Sequence, residues 1–217
     1  MFNELGYKIN EYLLENYPLF FNGRFGKDLY VCGGVIRDLM LDKDPKDIDF
    51  FMIDNKKAIN SFISRNQLYH TKNSFGNAKV LYDGVDVDLM SVKASSDLVV
   101  YNADGLFYNL STGKFSLQGF ENLPQDRKLV LLNDESMHPS SARVLERRVK
   151  LQNFVKELDE KDMFEEIESA LEEEKDMFEP LPESVDVSES EESQEVEISQ
   201  NTLMCFDNDD FDICFGD

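Results

Sequence analysis

Asp47 and Asp49 stand either side of Ile48 in the run Asp47-Ile48-Asp49-Phe50-Phe51-Met52-Ile53. In an extended strand, residues i and i+2 point to one side. The two carboxylates therefore converge while Ile48 turns toward a core. Paired hard oxygens of this kind suit Mg²⁺. Upstream, the short apolar run Leu29-Tyr30-Val31-Cys32 ends at Gly33-Gly34. Two glycines let the backbone approach a ligand closely. A helix opening there offers unbonded N–H groups and a positive dipole end, which favour phosphate. Two metal ions bridged by such carboxylates could activate an attacking hydroxyl and stabilise a departing pyrophosphate.

A metal site of this type needs a further acid. Asp86 and Asp88 lie on one face of the alternating run Val85–Val92, and either could join the first pair; the alternative is that this face is the solvent face. Aspartate is uncommon on a half-buried strand. Arg37 follows the glycine turn and could serve a phosphate or form a plain surface ion pair with Asp38, which would contribute little. Arg143, Arg147 and Lys150 recur at i, i+4 and i+7, on one face of a helix. They could meet phosphate or form a solvated basic face.

The elements that must position these groups follow from periodicity and turn chemistry. Residues 4–17 read as a helix with Leu5, Ile9, Tyr12 and Leu13 on one face, closed by Pro18. Residues 29–32 form a strand, 35–41 a helix, 48–53 a buried strand and 57–66 a helix. Asp83-Gly84 joins strands 78–82 and 85–92 as a hairpin, and Ser111-Thr112-Gly113 centres a second hairpin over 107–116. Residues 140–157 read as a helix capped by Ser140 or Ser141. The sum is an α+β domain with a small mixed sheet flanked by helices.

In order, these pieces resemble a known pattern. Gly33-Gly34-Val35-Ile36-Arg37-Asp38-Leu39-Met40-Leu41, a short loop, and Asp47-Ile48-Asp49 are similar to the head domain of class II CCA-adding enzymes and bacterial poly(A) polymerases, within the polymerase-β-type nucleotidyltransferases. The resemblance implies that Asp47 and Asp49 bind metal and act in catalysis, and that Gly33, Gly34 and Arg37 hold a triphosphate. Val87-Asp88-Leu89-Met90-Ser91-Val92-Lys93 looks like the family's acid-bearing strand, which favours Asp88 as the third carboxylate. The segment 97–103 resembles the family's Arg-Arg-Asp-Phe-Thr-x-Asn-Ala motif and implies nucleotide-binding roles for Asp97 and Asn102. Ser95 and Ser96 stand where that motif has two arginines, and Asn102 comes one position late. Arg143 and Arg147 look like the arginine-bearing helix that follows the family's head, and could line the triphosphate or an RNA backbone. The resemblance covers about residues 25–155. The expected activity is Mg²⁺-dependent transfer of a nucleotide from an NTP, ATP or CTP, to an RNA 3′ hydroxyl such as that of tRNA, in a minimal form without the family's body domains. The alternative is a catalytically weak nucleotide- or partner-binding regulatory protein.

The chain has 217 residues and a net charge of −22. Residues 1–156 hold 20 basic and 20 acidic side chains, whereas residues 157–217 hold 2 and 24. This asymmetry reads as a head domain over 1–156, an acidic helix over 157–180 and a disordered acidic tail over 181–217. Glu-Lys-Asp-Met-Phe-Glu occurs at 160–165 and again at 174–179. The repeat puts Phe164, Ile167, Leu171 and Phe178 on one helix face, either as a partner-binding helix or as a simple extension of the domain. The tail could dock a protein partner or cover the basic helix as an autoinhibitor. Cys32, Cys205 and Cys214 form no CxxC pair, and no zinc site is expected. No signal core and no 18-residue apolar run are present, so the expected setting is cytoplasmic, without a membrane span.

Overall fold

The computed structural model describes residues 1–23, 25, 28–73, 76–133 and 141–182, except for the side chains of Ser141 and Arg143. Among the described residues seven strands form one sheet: β1 (Tyr30–Cys32), β2 (Ile48–Ile53), β3 (His70–Lys72), β4 (Ala78–Tyr82), β5 (Val85–Val92), β6 (Leu106–Asn109) and β7 (Lys114–Leu117). Their order across the sheet is β3-β4-β5-β2-β1-β6-β7. β2 and β5 run parallel, and the other neighbours are antiparallel. The mixed α+β architecture expected from the sequence is therefore present.

Hairpin chemistry sets much of this register. Asp83 and Gly84 both have positive φ, 48° and 82°, as a two-residue turn of the primed type requires. The turn pairs Tyr82 with Val85, and the ladder continues to Ala78 opposite Leu89. Central β2 is buried on both faces, so its apolar run is nearly continuous. Ile48, Phe50 and Met52 join the main core, whereas Phe51 belongs to a smaller cluster on the opposite face with Tyr30, Cys32, Val99 and Phe107.

Helices α1 (Phe2–Asn16), α2 (Pro18–Phe21), α3 (Gly34–Met40) and α4 (Lys56–Arg65) contribute to the main core. Phe2, Leu5, Ile9 and Leu13 of α1 are buried there, and Phe20 of α2 stacks on Phe50 with ring centroids 5.4 Å apart. Asn55 caps α4 by accepting the Ala58 N–H at 3.2 Å. A short helix, α5 (Leu123–Asp126), precedes α6 (Ser141–Glu160) and α7 (Met163–Glu173).

The boundary expected after residue 156 does not coincide with the compact unit, which extends over Met1–Ser184. Leu158 of α6 and Phe164, Ile167 and Ala170 of α7 are buried in the main core. The acidic residues of α7 occupy its outer face, while its apolar stripe is covered by the protein's own core rather than left for a partner. The helix ends at Glu173, so Phe178 does not continue its face. Instead Phe178 forms a parallel bridge with Phe115 of β7 and packs edge-on against Phe2, 5.0 Å between centroids. Glu179 donates its N–H to the Phe115 carbonyl at 2.9 Å, and its carboxylate accepts from Asn109 at 2.6 Å and Thr112 at 3.1 Å. The tail from residue 183 onward, with its docking and autoinhibitory readings, lies outside the described residues, as does Ser140.

Candidate functional site

The face of the sheet opposite the main core opens into a cleft of about 1370 Å³. Its floor is the junction of β1, β2 and β5. Cys32 pairs across the sheet with Asp49, and Asp49 is in register with Asp88. Register partners on neighbouring strands share a face, so Asp49 and Asp88 stand on the cleft side. Gly33 and Gly34 then carry the chain from β1 into α3. Gly33 adopts φ 82° and ψ −140°, a conformation available essentially to glycine. A Cβ on Gly33 would lie 2.9 Å from Asp49 Oδ2, and one on Gly34 would lie 3.5 Å from Asp47 Oδ1. The glycine turn thus passes directly beside both carboxylates. α3 is only seven residues long, so close backbone approach matters more here than its dipole.

The carboxylates crowd one another. The Asp49 carboxyl is pushed up to about 7, first by burial and then by Asp47 and Asp88, against the pull of Arg37 and Arg147. Asp88 Oδ1 accepts a hydrogen bond from Asn73 at 3.3 Å. Asp86 instead points to solvent and pairs with Lys79 at 3.2 Å. The register, not the face, explains the difference, because Asp88 is matched to Asp49 whereas Asp86 lies beyond the end of the β2 ladder.

Two arginines form the adjacent wall. Arg37 of α3 donates from Nη1 to Asp104 Oδ1 at 3.4 Å, and Arg147 of α6 from Nη2 to Asp104 Oδ2 at 2.8 Å. Arg147 also donates to the Leu98 carbonyl at 3.2 Å. The Asp104 side chain is 4% exposed, and those of Arg37 and Arg147 are 20% and 29% exposed. Burial lowers the Arg37 pKa, and Asp104 opposes that shift. Arg37 therefore does not belong to a surface pair with Asp38. Burial, and next the charge of Asp49, hold the Cys32 thiol well above its ordinary range. Lys43, Lys46, Lys93 and Lys150 also line the cleft.

The structure brings Gly33, Gly34, Arg37, Asp47, Asp49, Asp97 and Arg147 to one cleft, with Asp88 on its floor strand. Asp97 is exposed, and its carboxylate accepts the Ala94 N–H at 3.3 Å. Asn102 departs from the expected nucleotide-binding role. It is fully buried, and its amide donates to the Lys128 carbonyl and Asp126 while accepting the N–H groups of Ala103 and Val130. Its hydrogen-bonding capacity serves the packing of residues 102–130, away from the cleft. The Arg143 side chain lies outside the described residues. Asp104 was not among the sequence candidates. Its only local signal is a charge inside the apolar stretch 98–108.

The donor set can be tested against Mg²⁺. Among the described residues, no three acidic, thiol or imidazole groups converge into a closed cage. Mg²⁺ is commonly held by one or two carboxylates, with water and substrate phosphates completing the shell. Asp47 and Asp49 supply such a pair, and the Asp49 carboxyl, raised first by burial and then by Asp47 and Asp88, sits where a cation would offset part of the carboxylate charge. The donors therefore fit the ion through these two residues. Among the described residues no helix is long and apolar enough to cross a membrane.

Residues 29–106 match the family model of the poly A polymerase head domain. No curated protein matches the chain in sequence. Among solved structures, the chain is similar to the Thermotoga maritima CCA-adding enzyme complexed with tRNA, at 20% identity and a TM-score of 0.46, over 59% of this chain and 35% of that one. It is also similar to a CCA-adding enzyme in complex with ATP, at 19% identity and a TM-score of 0.48, over 72% and 46% of the two chains. A tRNA-processing enzyme with CTP gives 21% identity and a TM-score of 0.44, over 58% and 38%. Each match takes in less than half of the relative's own length.

Proposed function

We propose that this chain, whose residues 29–106 match the family model of the poly A polymerase head domain, transfers a nucleotide from an NTP to an RNA 3′ hydroxyl. The observation that carries the proposal is the meeting of Asp47, Asp49, the Gly33-Gly34 turn and Arg37 in one cleft. Asp47 and Asp49 would hold Mg²⁺, with Asp88 beside them. When bound, that ion would neutralise phosphate charge and polarise the reacting phosphoryl group. The glycine turn lets the backbone pass beside both carboxylates, where a triphosphate at the metal would lie against it. Arg37 and Arg147 offset its charge from the cleft wall, and planar guanidiniums suit phosphate oxygens. Lys46 and Lys93 give an RNA backbone a basic approach, which salt would weaken, while Lys43 and Lys150 pair with Glu157 and Glu146 of the same lining.

The test is transfer of labelled ATP or CTP to a pool of small RNAs in Mg²⁺. The wild type should label RNA, and Asp47→Ala/Asp49→Ala should not. Equal labelling by the double variant would sink the proposal.

A second reading is a nucleotide-binding protein with weak catalysis. It is favoured by Ser95, which stands where the family motif has arginine and is turned inward, donating to Gln118 Oε1 at 2.8 Å. Saturable NTP binding without turnover on any RNA supplied would favour this reading over the first.

A further inference from the structure

Arg37 and Arg147 come from different helices, separated by most of the folded chain, yet both end on one carboxylate. Asp104 gives one oxygen to each: Oδ1 to Arg37 at 3.4 Å and Oδ2 to Arg147 at 2.8 Å. Asp104 is itself fixed by backbone. Its Oδ2 accepts the Tyr101 N–H at 3.2 Å, and its own N–H bonds the Tyr101 carbonyl at 2.9 Å, closing the short helical turn Asn102–Asp104. With a side chain 4% exposed, the carboxylate has little room to swing. The arginines meet a fixed acceptor.

Two guanidiniums share this one carboxylate on a wall that opens to the cleft. Without the shared carboxylate the two cations would repel one another and separate, because like charges at close range are costly where water is partly excluded. With it, they form a fork of fixed spacing. Each guanidinium carries five N–H donors, so bonding to Asp104 does not use up Arg37. A ligand for such a fork is anionic, has several oxygens and spans more than one guanidinium. A polyphosphate chain has that chemistry.

We propose that Asp104 is a positioning residue that holds Arg37 and Arg147 as a paired receptor for the polyphosphate of the nucleotide. The inference rests on the reading of the cleft as a nucleotide site. Asp104 acts through the arginines and does not touch the ligand. Its role is to convert two mobile cations into one preorganised acceptor, which lowers the ordering cost of binding.

The test is calorimetric titration of the full chain with ATP, CTP and inorganic tripolyphosphate, each with Mg²⁺, alongside a melting curve. Asp104→Asn keeps the shape and removes the charge. It should bind all three ligands about tenfold more weakly, equivalent to about 1.4 kcal/mol. The Asp104→Asn/Arg147→Gln double variant should bind no more weakly than the worse single variant, because the residues act as one unit. A purely structural role would instead shift the melting temperature and leave the affinity of the folded protein unchanged, and that result overturns the proposal. A loss confined to ATP and CTP, with tripolyphosphate unaffected, also overturns it. If Asp104→Asn does not fold, Asp104→Glu decides: it keeps the charge but shifts the acceptor by one methylene. Weaker binding of all three ligands by that variant supports the fork, and wild-type binding overturns it. If wild-type protein binds none of the three ligands, the nucleotide-site reading itself fails. If it binds them and Asp104→Asn matches it, only the role of Asp104 fails.

Discussion

Gly33 passes so close to Asp49 that an added Cβ would stand 2.9 Å from the carboxylate Oδ2. Nothing larger than hydrogen fits there without moving the acid. Gly33→Ala should therefore have two effects. The φ of 82° strains any L side chain, costing about 1–3 kcal/mol of stability. The displaced Asp49 should also lower transfer activity, by roughly 100-fold if the shift approaches 1 Å. Melting curves and NTP transfer assays separate the two effects. An alanine variant with wild-type activity would mean that the Gly33–Asp49 approach is irrelevant to chemistry.

The Asp49 carboxyl gives the metal-free protein a pH dependence of defined sign. Its folded pKa of about 7 lies above the unfolded value of about 3.9. Between those values the folded state binds more protons than the unfolded state, so stability falls as pH rises. In EDTA the melting temperature should be higher near pH 5 than near pH 8. Asp49→Asn should flatten that slope, and Mg²⁺ should raise the melting temperature most at the alkaline end. An unchanged slope in Asp49→Asn would place the titration elsewhere.

Asn102 discriminates family motif from local geometry. Its amide is fully buried and satisfies two backbone N–H groups and one carbonyl. Asn102→Ala leaves those groups unpartnered and should cost about 2 kcal/mol or more. NTP affinity of the folded fraction should stay at the wild-type value, measured by titration below the melting transition. A selective loss of affinity with unchanged stability would instead restore a nucleotide-binding role.

Removing residues 157–217 should abolish folding. Leu158, Phe164 and Ile167 are almost fully buried in the main core. Together their burial is worth about 5–9 kcal/mol, comparable to the whole stability of a typical domain, about 5–15 kcal/mol. A soluble, cooperatively melting 1–156 fragment would overturn this account. The milder Phe164→Ala should cost about 3–5 kcal/mol in denaturant unfolding.

The parts of the site that were legible in sequence are those encoded locally. The Asp47-Ile48-Asp49 alternation, the Gly33-Gly34 turn and the Asp83-Gly84 hairpin each carry their geometry within a few residues. The β5 hairpin in turn left Asp88 distinguishable from Asp86 once β2 supplied a register. Asp104 was illegible because its partners are distant in sequence and its neighbours Ala103 and Gly105 suggest only a turn. Asn102 misled because the motif letter survives while its side chain serves backbone packing. The apolar face of α7 was legible from Phe164 and Ile167, but the surface that covers it was not, because its partners in the core are distant in sequence and the surrounding glutamates suit a domain extension and a free helix alike. β3 is fully exposed and has no hydrophobic alternation, so nothing in its residues announces a strand.

The segment at Phe178-Glu179 gives the two margins of the sheet unequal fates. At β7 it occupies the Phe115 carbonyl and anchors itself to Asn109 and Thr112. At the other margin, β3 offers only three exposed residues, ending in Lys72. Short, charged borders discourage strands of other molecules from adding on. Loss of the 178–179 strap would expose the β7 border together with the aromatic surface of Phe115 and Phe2. The strap thus covers a border to which a strand of another molecule could otherwise add, besides completing the core.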